Sequence, residues 1–344
     1  MKIRVGIIGA TGYAGEELIE ILLRHSEVEI TVVTASADLE KEELIGRILP
    51  RLAGRLNLEC FSLNVERVLP MVDVLFLALP HTVSQNVAIA FLEAGKKVID
   101  LSADFRLRDP AIYQKWYHAV HQHEDYLAKA VYGLTELNAE KIHQAKLVAN
   151  PGCYPTGAIL ALAPLVKERL AQPGGVVIDA KSGATGAGKK PSLFLHFPEV
   201  HDNLKAYKVN THQHIPEIEQ ELSLLAGEEI RVLFTPHLLP VNRGILTTSY
   251  VRLRQMVSLT EIEDLYREFY EGASFVRLHP SGSWPELADV TGTNFCDLGF
   301  TVHSELQTVI VISAIDNLVK GAAGQAVQNL NCMFGWNQKT ALLP

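Results

Sequence analysis

The sequence predicts an α/β protein, a doubly wound parallel sheet followed by an α+β catalytic domain whose sheet is mainly antiparallel. Three observations carry this. Short β-branched runs alternate with helical periodicity over the first 150 residues, and a glycine-rich turn joins the first strand to the first helix. After Cys153 the texture changes to apolar strands with few helices between them.

Residues 2–8 are a β-branched apolar run, too short for a helix and stopped by Gly9. Residues 16–24 follow with helical spacing of Leu18, Ile21 and Leu22, and residues 28–34 form a second β-branched run. Strand, turn, helix and strand within about 30 residues is the size of one βαβ unit. The pattern recurs as a strand over 74–79, a helix over 83–94 ending at Gly95, and strands over 97–101 and 147–149. A helix is expected over 157–170, then strands over 176–180, 231–235, 245–253, 275–278, 295–302 and 308–314. Residues 315–333, rich in Ala, Gly and Leu, read as a single helix returning to the first domain. The expected domains are 1–150 plus 316–344 for dinucleotide binding and 151–315 for catalysis and dimerisation.

The chain has 344 residues, 48% apolar and 20% charged, enough for two domains. A net charge of −8 and the absence of any Lys/Arg run exclude non-specific nucleic-acid binding as an expectation. Four cysteines without a C-x-x-C pair make no disulfide framework. The opening apolar run is too short for a signal peptide, and no segment reaches the roughly 20 apolar residues of a membrane span. A cytoplasmic enzyme is expected, with no nucleic-acid or membrane partner.

Gly9, Thr11, Gly12, Tyr13, Ala14 and Gly15 belong to a G-x-x-G-x-x-G turn placed directly after a strand and opening a helix. Glycines allow the tight bend, and the helix N-terminus offers its N–H groups to a pyrophosphate. That context makes the first domain Rossmann-type; a turn that merely packs helix on sheet is the plainer alternative. The second strand ends in Thr34, Ala35 and Ser36 rather than in the carboxylate typical of NAD sites. Without that charge to repel a 2′-phosphate, NADP is the expected cofactor.

The stretch Asn150-Pro151-Gly152-Cys153 bends sharply after a parallel strand, with a helix expected just beyond Cys153. A thiol at a helix N-terminus is favoured as thiolate, which makes Cys153 the candidate nucleophile. Cys60, Cys296 and Cys332 lie in apolar runs and read as structural. His212 and His214 stand just before a helix with Pro216 in its first turn and are candidates for an acid/base group. A metal is the sharpest rival, its third ligand drawn from His118, His121, His123 or Cys153. No carboxylate or thiol stands at zinc-like spacing around the pair, so no metal is expected. Ser182 and Gly183 open a glycine-rich stretch through Lys189 and Lys190, read as a backbone cradle near substrate or nicotinamide, with plain solvation of the lysines as the alternative; Lys181, at the end of the preceding strand, is a candidate substrate contact. Arg106 and Arg243 flank strand ends and are candidate anion clamps, with surface ion pairing as the alternative.

These stretches, with Ala78-Leu79-Pro80-His81, residues 100–106 and 131–138, and Asn317 through Gly335, resemble the N-acetyl-gamma-glutamyl-phosphate reductase family. That family is related to aspartate-semialdehyde dehydrogenases, and the likeness runs nearly end to end. The resemblance implies N-acetyl-glutamyl 5-phosphate as substrate, NADPH as reductant, and a homo-oligomer, dimer or tetramer. It implies Cys153 as nucleophile and one of His212 and His214, His212 preferred, as acid/base group. Pro80 and Asn317 fall in cofactor stretches, and Ser102, Asn150 and Glu217 in substrate stretches. Two departures stand out. Ala37 occupies the place of a family arginine, leaving 2′-phosphate recognition to Thr34, Ser36 and backbone. Thr135 replaces a proline, which is expected to alter a loop and little else.

The expected chemistry is attack of Cys153 on an acyl phosphate, hydride transfer to the thioester, and release of an aldehyde. Related reactions on N-acetyl-aminoadipyl phosphate or aspartyl phosphate are alternatives, since one methylene in a pocket is worth about 1–3 kcal/mol. A non-catalytic NADP-sensing protein is the alternative outside enzymes.

Overall fold

The computed structural model describes residues 2–35 and 39–343 of the chain. These form two compact units, Met1–Pro151 with Ala322–Pro344, and Gly152–Gly321.

The first unit is built on eight strands: β1 (Ile3–Ile8), β2 (Val28–Thr34), β3 (Glu43–Leu44), β4 (Glu59–Phe61), β5 (Val74–Leu77), β6 (Lys97–Asp100), β7 (Val131–Tyr132) and β8 (Leu147–Ala149). Their order is β3-β4-β2-β1-β5-β6-β8-β7, parallel throughout except for the short β3 against β4. All four residues of β5 are buried, the continuous apolar run expected of a strand covered on both faces. Helices α1 (Tyr13–Leu22), α2 (Ser84–Glu93), α3 (Pro110–Tyr117) and α4 (Thr135–Gln144) accompany the sheet. The chain runs outward from β1 to β2 and then crosses to β5 on the other side of β1. The C-terminal ends of β1 and β5 therefore flank the switch point, where open α/β sheets bind ligands.

The expected single helix over 315–333 is corrected. Strand pairing continues to Ile315, a π-turn occupies Val319–Ala323, and the C-terminal helix is only Gly324–Met333. The β-branched alternation from Val309 onward holds the chain extended until Asp316 turns it. Thr135 is also corrected. It begins α4 and is buried, donating to Asn329 Oδ1 at 2.7 Å and accepting from Gln325 Nε2 at 2.8 Å. Its hydroxyl thus joins α4 to the C-terminal helix, where a proline could not.

The second unit has strands β9 (Ala171–Gly183), β10 (Lys205–Ala206), β11 (Val232–Leu239), β12 (Ile245–Leu253), β13 (Val276–Leu278), β14 (Cys296–His303) and β15 (Thr308–Ile315). They are ordered β10-β11-β9-β12-β15-β14-β13. The β9–β11 and β13–β14 pairs run parallel and the others antiparallel, so the sheet is mixed. Helix α5 (Cys153–Lys167) lies against β12, β15 and α6 (Ile215–Ala226), with α7 (Leu259–Phe269) beside it. Pro164 inside α5 has no N–H to give the Leu160 carbonyl one turn back. The Tyr270 hydroxyl donates to that carbonyl instead, which satisfies a buried acceptor.

Candidate active site

In the first unit, the glycine turn leaves β1 at Gly9, whose φ of +88° is left-handed. A side chain there would stand 2.4 Å from the Ala78 carbonyl, and one at Gly15 would stand 2.5 Å from the Gly9 carbonyl. Both positions are closed to anything larger. Gly12 caps α1 in extended conformation without a side-chain cap, and around its outward face only the Gly9 carbonyl comes near, at 3.6 Å. A helix end without a side-chain cap, behind a backbone that side chains cannot crowd, fits a dinucleotide pyrophosphate. Thr11, Tyr13 and Ala14 are partly exposed on this turn. Thr34 is fully buried, and its Oγ1 accepts the Gly9 N–H at 3.4 Å. It braces the turn. Ser36 lies outside the described residues. Pro80 is exposed just past β5, on the other side of the switch point.

The loop carrying Pro80 is held by a carboxylate that sequence reasoning assigned no role. Asp104 accepts N–H groups of Thr82 (2.7 Å), Ser84 (3.0 Å) and Gln85 (3.2 Å), and the Tyr113 hydroxyl at 2.8 Å. It therefore caps α2 from a distant segment and stabilises Thr82 at a φ of +71°, unusual for a β-branched residue. Ser102 donates to Asp100 Oδ2 at 2.7 Å, and Ser84 to Asp100 Oδ1 at 2.6 Å. Burial, and then the neighbouring Asp104 charge, push the Asp100 carboxyl up to about 6. Arg106 is buried. Its Nε donates to the Asn150 carbonyl at 2.8 Å and its Nη2 to the Leu101 carbonyl at 2.7 Å. Asn150 donates to the Ala322 carbonyl and accepts from Asn329. Ser102, Arg106 and Asn150 thus serve the loops after β6 and β8.

In the second unit, Cys153 is itself the first residue of α5, not one position before it, because Gly152 takes the capping conformation (φ −69°, ψ 155°). The sulfur-bearing residue is partly exposed, whereas Cys60, Cys296 and Cys332 are buried. Burial pushes the Cys60 thiol up to about 11, the signature of an inert structural cysteine. The Gly152 N–H donates to Glu217 Oε1 at 2.8 Å, and Thr156 Oγ1 donates back to the Gly152 carbonyl at 2.9 Å. Glu217 stands in the first turn of α6 and is buried. Its carboxylate ties the histidine-bearing end of α6 to the cysteine-bearing end of α5.

His212 and His214 meet around Tyr154, the residue after the nucleophile. The Tyr154 ring lies 5.4 Å from the His212 ring and 5.9 Å from the His214 ring, and the two imidazoles are 4.7 Å apart. Burial, then the Lys208 charge, pull His212 down to about 4, so it is neutral at pH 7. Its Nδ1 accepts the His214 N–H at 3.1 Å, which places the neutral ring's hydrogen on Nε2. His212 therefore presents a hydrogen-bond donor. The Tyr154 and Tyr207 hydroxyls are 2.9 Å apart, and burial raises both. Tyr207, separated from Cys153 by more than fifty residues, carried no sequence signal. Among the described residues no group of three or more His, Cys, Asp or Glu side chains gathers as a metal set.

The remaining candidates divide. Lys181 is paired with Asp179 at 2.7 Å. Ser182 and Gly183 end β9 rather than forming a free loop, and the Gly183 N–H donates to the Gly244 carbonyl. Asn317 Oδ1 accepts the Gly244 N–H at 2.7 Å, and its Nδ2 donates to Thr185 Oγ1 at 2.9 Å. Arg243 is half-buried, 3.5 Å from the buried Asp316 carboxylate.

Two family models match the chain: the semialdehyde dehydrogenase NAD binding domain over residues 4–145 and the semialdehyde dehydrogenase dimerisation domain over residues 153–317. The N-acetyl-gamma-glutamyl-phosphate reductases of Pelotomaculum thermopropionicum and Geobacter metallireducens are each 49% identical to it, across 99% of this chain and 98% of theirs. Among solved structures, aspartate semialdehyde dehydrogenase II of Vibrio cholerae shares the fold with a TM-score of 0.73 at 19% identity, over 97% of this chain and 98% of that chain. The Candida albicans enzyme solved with NADP does so with a TM-score of 0.70 at 17% identity, over 99% of each. With the glycine turn, the partly exposed cysteine at a helix start and half of all positions shared from end to end, the chain belongs to the N-acetyl-gamma-glutamyl-phosphate reductase family.

Proposed function

We propose that this chain reduces N-acetyl-L-glutamyl 5-phosphate to N-acetyl-L-glutamate 5-semialdehyde through a thioester on Cys153. The observation that carries the reading is the contrast among its cysteines. One is partly exposed as the first residue of a 15-residue helix, and three are buried. The helix N-terminus stabilises a sulfur anion there.

The Cys153 thiolate attacks the acyl carbon, the carbon–oxygen bond to phosphate breaks, and phosphate leaves with the bonding pair, taking its proton from solvent. Bound NADPH, held by the glycine turn, would supply the hydride that the thioester carbon accepts. The carbon–sulfur bond then breaks, its electrons return to Cys153, and the aldehyde departs. Backbone N–H groups at the start of α5 steady the oxyanion, with roughly 3 kcal/mol lost per donor removed. His212 acts as a neutral Nε2–H donor to the substrate oxygen, with His214 fixing its tautomer through the backbone. Glu217 holds the nucleophile's turn and Arg243 receives the substrate's anionic end. The glycine turn and the Pro80 loop hold the dinucleotide.

The reading extends to a cytoplasmic homo-oligomer, a dimer or tetramer. Val177, Leu233 and Tyr250 are exposed and lie side by side on β9, β11 and β12, an apolar row suited to a partner subunit. Among the described residues no helix is long and apolar enough to cross a membrane.

Cys153→Ser tests the function. NADPH oxidation with N-acetylglutamyl phosphate should fall at least a thousandfold while NADPH binding is retained. Near-normal turnover would end the proposal, and faster reduction of N-acetyl-aminoadipyl or aspartyl phosphate by the native chain would reassign the substrate.

A further inference from the structure

The turn that follows β15 touches both the nucleophile and the candidate anion receptor, and nothing in the chemistry above uses it. Asp316 is fully buried. Its Oδ1 accepts the N–H groups of Leu318 (2.7 Å) and Val319 (3.1 Å), and its Oδ2 accepts the Gly292 N–H at 2.7 Å. The same Oδ2 stands 3.5 Å from Arg243 Nη1. The Asp316 carbonyl accepts the Gly321 N–H at 2.9 Å, closing the turn as it enters the π-turn. Such turns recur at functional sites because they re-aim a backbone that a regular helix would place elsewhere.

Gly321 is pressed against the nucleophile. A Cβ on it would lie 2.8 Å from Cys153 Cβ and 3.2 Å from Cys153 Cα, with the Asp316 carbonyl at 3.3 Å. The first of these distances is far inside van der Waals contact, and the crowded atoms belong to the backbone and first carbon of Cys153, which cannot swing away. At the other end, Asn317 holds the Gly244 N–H, one residue beyond Arg243. One six-residue turn therefore backs the sulfur-bearing residue and anchors the arginine.

We infer that Asp316 and Gly321 are positioning residues that set the Cys153 thiol and the Arg243 guanidinium at a fixed separation, matched to a substrate bearing its anionic group and its acyl phosphate on one short chain. The inference rests on the reading of Cys153 as nucleophile and Arg243 as anion receptor. Asp316 orients the guanidinium through its charge, and Gly321 seats the cysteine through the absence of a side chain.

The two ends make separable predictions. In Gly321→Ala the cysteine must move, and a misplacement of about 1 Å at a reacting atom costs on the order of a hundredfold. The kcat should fall 10- to 100-fold with KM little changed, and the rate of Cys153 alkylation by iodoacetamide should change with it. In Asp316→Asn the amide keeps an acceptor for Leu318 and Val319 but turns a donor toward Arg243 and the Gly292 N–H. Here KM for N-acetylglutamyl phosphate should rise about tenfold, with the alkylation rate within twofold of the parent. In an Arg243→Gln background, Asp316→Asn should raise KM no further, which a merely structural role would not produce. Where Asp316→Asn does not fold, Gly321→Ala alone decides. Unchanged kcat and alkylation in Gly321→Ala, or an additive KM effect in the double variant, overturns the inference. If Cys153→Ser still turns over, it is the nucleophile reading that has failed; if Cys153→Ser is dead while these variants behave as the parent, only this inference has.

Discussion

Removing the Glu217 carboxylate should loosen the turn that presents the nucleophile, by an amount the structure sets. Its Oε1 accepts the buried Gly152 N–H at 2.8 Å, a charge-assisted bond immediately before Cys153. Such bonds contribute about 1.5–3 kcal/mol, and Glu217→Ala also leaves the N–H without this acceptor. At 1.4 kcal/mol per tenfold, the Gly152 amide should exchange with solvent roughly 10- to 150-fold faster. Glu217→Gln keeps an oxygen acceptor without the charge and should fall between the two. Amide exchange read by mass spectrometry on a peptide spanning 147–160 gives the local number, and steady-state assays should show kcat falling in the same order with NADPH affinity unchanged. Unaltered protection in Glu217→Ala would refute the assignment of Glu217 as the brace of the Cys153 turn. Lost protection with full kcat would instead show that the turn's rigidity does not serve catalysis.

Other consequences can be measured separately. Gly15→Ala places a methyl 2.5 Å from the Gly9 carbonyl, and forced backbone shifts of that kind cost about 1–3 kcal/mol. NADPH affinity in a fluorescence titration should drop by roughly 5- to 150-fold, and an unchanged dissociation constant would count against the turn as the cofactor cradle. His212 is held near 4 in the folded chain against an ordinary 6.5. It contributes stability that is present above about pH 6.5 and lost as the pH falls through 4, roughly 3 kcal/mol in all. Urea unfolding of His212→Asn should lack that part of the pH dependence. Asp100 has the opposite sign, since its folded value of about 6 is raised above the usual 3.8. Its contribution is full below pH 4 and lost as the pH rises through 6, so Asp100→Asn should gain stability relative to the parent over that window in the same unfolding series.

Much of the architecture was readable because it rests on local patterns. Short apolar runs bounded by turn residues, such as 74–77, read as central strands, and the glycine turn has steric reasons for Gly9 and Gly15. Cys153 was legible from Pro151 and Gly152, which force the bend before it. Three helices, α3, α4 and α7, stand out in no periodicity, although the caps of two are written in the chain. Asp109 accepts from Ala111 and Ile112 ahead of α3, and Ser258 with Glu261 forms a capping box for α7. In α7 the buried anchors are only Ile262 and Tyr266, so its apolar stripe is thin against the neighbouring strands. What the sequence concealed was long-range pairing. Asp104 capping α2, Arg106 holding the Asn150 carbonyl and Asp316 facing Arg243 depend on which loops meet, and no periodicity encodes that. Thr34 shows the same limit at short range, since its place at a strand end was legible but the direction of its hydroxyl was not.

Intact-mass spectrometry of the protein mixed with N-acetylglutamyl phosphate, with NADPH withheld, tests the covalent step without relying on turnover. One acyl group per chain on the peptide containing Cys153, formed as phosphate is released and discharged when NADPH is added, is the predicted result. Full reduction activity from a protein that never acquires the adduct, or acquires it on Cys60, Cys296 or Cys332, would contradict the account.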